Sequence, residues 1–122
     1  MITILVVDDS PVIRRLIDYT LTRNGYRVLT ACDGREALDV MHDQLVDLVI
    51  ADLAMPELDG LGLLRLIRAD TNLRKIGLIM LTASGQDQDR IDAQAAGAND
   101  FLTKPTSSRD LLATVHQVLD TA

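Results

Sequence analysis

Five short apolar runs, separated by segments of helical spacing, constrain the fold of this chain more than any other feature. The runs span Thr3–Val7, Arg27–Ala31, Leu48–Ala51, Gly77–Leu81 and Asp100–Thr103. Runs of this length are typical of buried parallel strands, and the helices between them would cover both faces of a sheet. We therefore predict an α/β fold with a doubly wound, five-stranded parallel sheet. The length of 122 residues fits one domain, residues 1–122.

Capping signals mark the ends of the predicted helices. Ser10 followed by Pro11 predicts an N-cap and a first helical residue, and Asn24-Gly25 predicts the end of that helix. The other predicted N-caps are Asp33, Asp59 and either Ser107 or Ser108. The strands are ranked by their polarity: the run at Leu48 is the most apolar and is expected at the centre of the sheet, the run from Ile4 suits its interior, and the more polar run at Tyr26–Ala31 suits an edge.

Apolar residues at helical spacing predict which side of each helix faces the core. They are Val12, Ile13, Leu16, Ile17 and Leu21 in the first helix, Ala37, Leu38 and Met41 in the second, Leu63, Leu64, Leu66 and Ile67 in the third, Ile91, Ala95 and Ala96 in the fourth, and Leu111, Leu112, Val115 and Leu119 in the fifth. The stripe of the fourth helix, from Asp87 to Ala96, is thin, so we expect that helix to be comparatively mobile.

Composition argues against several classes of function. The net charge of −6 argues against nonspecific binding of these residues to nucleic acid or to an anionic membrane, because both need basic patches. No apolar stretch approaches the length of a spanning helix, and no signal peptide is evident, so we expect a cytoplasmic protein. A single cysteine, Cys32, rules out an internal disulfide and is expected to be a small buried residue at a strand end.

Polar residues follow the ends of several predicted strands. Asp8 and Asp9 follow the first, Asp52 the third, Thr82 the fourth and Lys104 the fifth. Parallel sheets gather the groups at the carboxyl ends of their strands into one site. Three converging carboxylates repel one another, and a divalent cation such as Mg²⁺ relieves the repulsion. With a lysine and a hydroxyl, the set favours a cation together with a phosphoryl group; the alternative is a group of solvated acids near a helix N-terminus.

The individual residues leave alternatives open. Lys104 is either a point charge for phosphate, able to pair with Asp52, or a surface cation with an apolar stem. Thr82 is either a donor to a phosphoryl oxygen or an ordinary β-branched strand residue. Because X-Pro bonds at turns adopt the cis form more readily than other peptide bonds, we predict a cis bond between Lys104 and Pro105.

These residues resemble the receiver domain of bacterial two-component response regulators. The resemblance is to the chemotaxis type, which is a single receiver domain. The matching segments are Val-Val-Asp-Asp-Ser at 6–10, Asp-Leu-Ala-Met-Pro at 52–56, Asp59-Gly60, Thr82-Ala83 and Phe-Leu-Thr-Lys-Pro at 101–105. The resemblance covers essentially the whole chain and implies the flavodoxin-like strand order 2-1-3-4-5. It also implies the roles of the site residues. Asp52 would be the phosphoacceptor, Asp8, Asp9, Asp52 and the backbone carbonyl of Ala54 would bind Mg²⁺, Lys104 would contact the phosphoryl group, and Thr82 and Phe101 would form the switch.

The resemblance further implies partners and limits on activity. A histidine kinase or a phosphotransfer protein would supply the phosphoryl group, and a downstream protein would bind the surface of the fourth helix, fifth strand and fifth helix. The chain would catalyse only its own phosphorylation and dephosphorylation. Ala54 and Ser84 would tune the phosphate lifetime. Phe101 stands where the family often has Tyr, and it is alternatively a plain core aromatic.

Three other functions remain as alternatives or are disfavoured. A metal-dependent phosphohydrolase with an aspartyl-phosphate intermediate would use similar chemistry, but the chain has no cap domain. A binding module that is never phosphorylated could dispense with the acidic residues, so their presence argues against that function. A nucleotide-binding protein is disfavoured because no glycine-rich phosphate loop follows the first strand.

Overall fold

The computed structural model describes residues 1–83 and 85–121, in which five parallel strands alternate with five helices. The strands are β1 (Thr3–Val7), β2 (Arg27–Ala31), β3 (Leu48–Asp52), β4 (Gly77–Thr82) and β5 (Asp100–Thr103). The helices are α1 (Pro11–Arg23), α2 (Gly34–Asp43), α3 (Gly60–Ala69), α4 (Asp87–Ala96) and α5 (Ser108–Asp120). The strand order is β2-β1-β3-β4-β5, so the predicted fold and topology are confirmed. Ser84, expected beside the site, lies outside the described residues.

Two apolar clusters, one on each face of the sheet, form the core. Because successive strand residues point to opposite faces, Leu5 and Val49 belong to one cluster, and Ile4 and Ile50 to the other. The first cluster includes residues of α2, α3 and α4, and the second includes residues of α1 and α5. Every residue of β3 is buried, as expected for the central strand. Every residue of β1 is buried as well, so both of these strands are covered on both faces.

The predicted helix boundaries are confirmed by their capping contacts. The Ser10 side chain accepts a hydrogen bond from the Ile13 N–H, and Asp33, Asp59 and Ser107 cap α2, α3 and α5 in the same way. Gly25 follows α1 with φ 91°, and Gly97 ends α4 with φ 105°, both in the left-handed region. In residues 1–83 and 85–121, no helix combines the length and apolarity needed to cross a membrane.

Some residues of α1 and α3 that were expected in the core are exposed instead. In α1, Val12 and Leu16 are 67% and 58% exposed. Each lies one residue before a position of the inward stripe that contains Ile17, and one residue turns a helix by about 100°. Leu66 in α3 is exposed for the same reason, since it directly precedes the buried Ile67.

The inward side of α4 was predicted wrongly. Ala93 is its buried residue, whereas Ile91 is 55% exposed and Ala95 is also exposed. Both lie two residues from Ala93 and therefore on nearly the opposite side of the helix. Only the half-buried Ala96 packs on the core with Ala93.

The expectation that Cys32 is buried is also wrong. Cys32 is exposed, because it lies one residue beyond the end of the edge strand β2. Its Sγ lies 2.8 Å from a carboxylate oxygen of Glu36. The hydrogen bond to Glu36 raises the pKa of the thiol, and the negative charges of Glu36 and Asp33 add to the effect, so the thiol form is favoured over the reactive thiolate.

We predict that the amides of α4 exchange with solvent faster than those of α1. Each buried methylene contributes about 0.8 kcal/mol, and α4 buries only the small Ala93 where α1 buries Ile17 and Leu21. Hydrogen exchange followed by mass spectrometry of peptides from the two helices measures the difference. Equal protection of the two helices would contradict this prediction.

Candidate functional site

The carboxylates predicted from the strand ends meet at one edge of the sheet. Asp8 follows β1 and Asp52 ends β3, and the two strands pair in register up to Val7 and Ala51. Asp8 is fully buried, Asp52 is 5% exposed, and Asp9 is exposed. One carboxylate oxygen from each of Asp8, Asp9 and Asp52 lies within 4.8 Å of the others. The topology therefore concentrates negative charge where two of the three groups have little water around them.

Lys104 reaches this cluster from the end of β5. Its Nζ lies 2.9 Å from Oδ2 of Asp8 and 3.1 Å from Oδ2 of Asp52. Its backbone N–H donates to the carbonyl of Thr82 at 2.6 Å, and the bond to Pro105 is cis, as predicted. Burial lowers the pKa of Lys104, but its ion pairs with Asp8 and Asp52 outweigh burial and leave that pKa raised. Lys104 is thus a fixed cation within the site.

A contact that the sequence did not predict holds the first acidic loop. The Arg14 guanidinium donates to the backbone carbonyl of Asp8 at 2.6 Å, and the N–H of Ser10 donates to the Asp8 carboxylate at 2.9 Å. The N–H of Asp8 donates to the carbonyl of Ala31 at 3.1 Å. The apolar stripe of α1 gives no hint of this role; a basic residue one turn beyond the acidic pair is the signal that could have identified Arg14.

Backbone groups lie close to Asp52 on two sides. Its Oδ1 accepts a hydrogen bond from the N–H of Ala54 at 3.3 Å. At the other side of the loop, a Cβ on Gly60 would overlap the carbonyl oxygen of Asp52 and press on Met80, so this close approach requires glycine. Burial raises the pKa of Asp52; the hydrogen bond to Lys104 opposes the shift, and the charge of Asp8 adds to it.

The donor set fits a hard divalent cation. Oδ2 of Asp8 is buried and, although it pairs with the Lys104 ammonium, has no hydrogen bond of good geometry within the described part of the chain. The cluster contains three carboxylates, of which those of Asp8 and Asp52 contact the Lys104 ammonium, so negative charge is in excess. Carboxylate oxygens are the ligands that Mg²⁺ prefers. Asp8, Asp9 and Asp52 can therefore hold such an ion, and the Ala54 carbonyl remains a predicted ligand.

The two predicted switch residues lie on β4 and β5, at different positions along their strands. Thr82 ends β4, is 4% exposed, and pairs in register with Thr103 of β5. Phe101 lies further back along β5, opposite Met80, and is 6% exposed. The Arg90 guanidinium lies 5.3 Å from the centre of the Phe101 ring, a cation–π contact from α4 that the sequence did not predict. Phe101 is therefore linked to α4 through Arg90.

Comparison with known sequences identifies the family to which this chain belongs. Residues 4–116 match the family described as the response regulator receiver domain. A curated relative, the "Probable transcriptional regulator ycf27" of Guillardia theta, is 43% identical over 116 residues, which are 95% of this chain and 44% of that protein. The chain spans about half the length of the curated relatives it matches.

Solved structures give the same result. The chemotaxis protein CheY4 of Vibrio cholerae is 35% identical, with a TM-score of 0.93 over 98% of this chain and 99% of that one. The receiver domain of the sensor histidine kinase PA1611 from Pseudomonas aeruginosa PAO1, described with a magnesium ion coordinated in its active site cleft, is 36% identical. Its TM-score is 0.89, and the match covers 97% of both chains.

We predict that Asp52→Asn raises the free energy of unfolding at neutral pH in the absence of divalent cations. The folded-state pKa of Asp52 is raised, so its contribution to stability is present below its ordinary pKa and is lost as pH rises through the folded value. Asparagine carries no charge to desolvate, so its advantage over the wild type should shrink on acidification. Urea unfolding at pH 7 and at about pH 4 measures this.

The matched control is Asp39→Asn, since Asp39 is an exposed aspartate on α2. It should change stability little at either pH. A wild type more stable than Asp52→Asn at pH 7, or an advantage of the variant that grows on acidification, would contradict the assigned sign.

Proposed function

Because the chain belongs to the response regulator receiver domain family, we propose that it accepts a phosphoryl group on Asp52 in a phosphorelay. The observation that carries the proposal is the position of Asp52, buried beside the Lys104 ammonium at 3.1 Å and next to a second buried acid, Asp8. The complete set of acids and lysine favours this function over a receiver-like module that binds its partner without phosphorylation.

The transfer itself follows from the charges at the site. An oxygen of the Asp52 carboxylate attacks phosphorus, an O–P bond forms, the N–P bond of a phosphohistidine breaks, and the imidazole nitrogen keeps the electron pair. Such a transfer has a loose transition state, so catalysis consists mainly of positioning and charge neutralisation. Lys104 supplies a fixed positive charge, and the Ala54 N–H orients Oδ1 of Asp52. Mg²⁺ held by Asp8, Asp9, Asp52 and the Ala54 carbonyl would neutralise charge on the transferred group.

Phosphorylation replaces a carboxylate paired with Lys104 by a more highly charged group. We propose that Thr82, buried at the end of the neighbouring strand, supplies the hydroxyl that responds. Movement of Thr82 would leave space for Phe101, whose ring also contacts Arg90 of α4. The proposed output is thus a change in the surface formed by α4, β5 and α5.

The proposed partners are proteins. A histidine kinase or a phosphotransfer protein donates the phosphoryl group, and a downstream protein binds the surface of α4, β5 and α5. The net charge of −6 supports protein targets rather than nucleic acid for residues 1–122, which we propose form a single receiver domain. Receiver domains are signalling modules, and we propose that this one acts chemically only on itself.

We expect incubation with acetyl phosphate and Mg²⁺ to add one phosphoryl group to the wild-type chain and none to Asp52→Asn. Lys104→Met should be labelled more slowly, on the order of 100-fold, because a fixed charge at the transferring group is removed. Intact mass spectrometry over time measures both effects.

Two controls make the result specific. Asp39→Asn should be labelled like the wild type, since Asp39 is an exposed acid on α2, and EDTA should abolish labelling of every variant. Labelling of Asp52→Asn equal to that of the wild type would refute the assignment of the phosphoacceptor.

A further inference from the structure

The loop between β3 and α3, residues 53–59, is held by one side chain that packs between two glycines. Gly34 begins α2 and Gly62 lies in the first turn of α3. A Cβ on Gly34 would lie 2.8 Å from Cγ of Leu58, and a Cβ on Gly62 would lie 2.8 Å from Cδ1 of Leu58. Neither helix therefore has room for a methyl group at these positions while Leu58 stays in place. We call the two glycines and Leu58 the Leu58 socket.

Backbone contacts reinforce the Leu58 socket. The N–H of Gly34 donates to the carbonyl of Leu58 at 3.3 Å, and the N–H of Leu58 donates to the carbonyl of Pro56 at 2.8 Å. Glu57, between them, has φ 66°, in the left-handed region that a non-glycine residue rarely adopts. A strained residue of this kind persists only where its surroundings hold it, and Leu58 is the adjacent anchor.

The other end of the same loop lies at the phosphoacceptor. The N–H of Leu53 donates to the carbonyl of Leu81 at 2.7 Å, and the N–H of Gly60 closes the loop onto the carbonyl of Leu53 at 3.0 Å. Between these points, the N–H of Ala54 donates to Oδ1 of Asp52. Ala54 is exposed and has no side chain beyond Cβ to anchor it, so the loop must fix its position.

We propose that Leu58 is a positioning residue for the phosphoryl-transfer site. Its packing in the Leu58 socket sets the conformation of residues 53–59 and thereby places both the Ala54 N–H against Asp52 and the Ala54 carbonyl at the metal site. The role in metal binding rests on the proposed function. Removal of a group that orients a metal ligand typically weakens metal affinity by about 10- to 100-fold, which sets the size of the expected effect.

Gly62→Ala tests this inference with little risk to the fold. Alanine is the better helix former, and the added methyl group meets the flexible end of Leu58 at 2.8 Å, with Oδ1 of Asp59 next at 3.2 Å. We expect thermal stability near that of the wild type, a Kd for Mg²⁺ raised about tenfold, and slower labelling by acetyl phosphate.

Leu58→Ala removes the side chain itself and should raise the Kd for Mg²⁺ by a similar factor of about ten. Because the methyl group of Gly62→Ala acts through Leu58, the double variant should bind Mg²⁺ no more weakly than Leu58→Ala alone. Val46→Ala, a buried residue before the amino end of β3, is the control for lost stability and should leave the Kd unchanged.

Isothermal titration calorimetry gives the Kd values, and the ¹H–¹⁵N resonance of Ala54 reports its position without any metal. We expect that resonance to move in Gly62→Ala and Leu58→Ala and to stay in place in Val46→Ala. An Ala54 resonance unmoved in the first two variants, or fully additive effects in the double variant, would overturn the positioning role. A wild-type chain that neither binds Mg²⁺ nor is labelled would overturn the proposed function instead, while the resonance still decides the role of Leu58.

Discussion

The ion pairs of Lys104 with Asp8 and Asp52 organise the edge of the sheet that carries the site. One ammonium from the end of β5 contacts carboxylates at the ends of β1 and β3, at 2.9 Å and 3.1 Å. Two acids this deeply buried would be costly without such a partner. The parallel strand order makes the arrangement possible, since it brings three strand ends to one edge although they are far apart in the sequence. One ammonium does not balance three carboxylates. The remaining negative charge allows the site to bind a cation.

The backbone around the charged groups leaves them little freedom. Gly60 lies so close to the carbonyl of Asp52 that no side chain fits there, and Leu58 fills the space between two helices. Arg14 holds the acidic loop after β1 in a similar way, through the carbonyl of Asp8. Phosphoryl transfer depends on positioning and charge rather than on elaborate covalent chemistry, so rigid loops around few charged groups suit it. Outside the site, α4 buries Ala93 and contacts Phe101 through Arg90.

Local patterns in the sequence predicted the elements and the meeting of the three acids with Lys104 at one edge of the sheet. Strand ends, helix caps and the cis bond before Pro105 depend on neighbouring residues, and the structure confirms them. Errors arose where a tertiary contact decides the outcome. Val12 and Leu16 are apolar and helical, yet the side of α1 that packs on the sheet is the one that carries Ile17, which leaves them exposed. The contact of Leu58 with Gly34 joins residues distant in the sequence, and no local pattern reveals it.

We expect the excess negative charge at the strand ends to take up a divalent cation. Titration of the unphosphorylated chain with Mg²⁺ by calorimetry, comparing the wild type with Asp9→Asn, tests it most directly, because Asp9 is exposed and its amide should not disturb the fold. We expect one Mg²⁺ per wild-type chain and a Kd at least about tenfold higher in Asp9→Asn, with Asp39→Asn unchanged. Equal affinity of Asp9→Asn and the wild type, or no binding by the wild type, would contradict the claim.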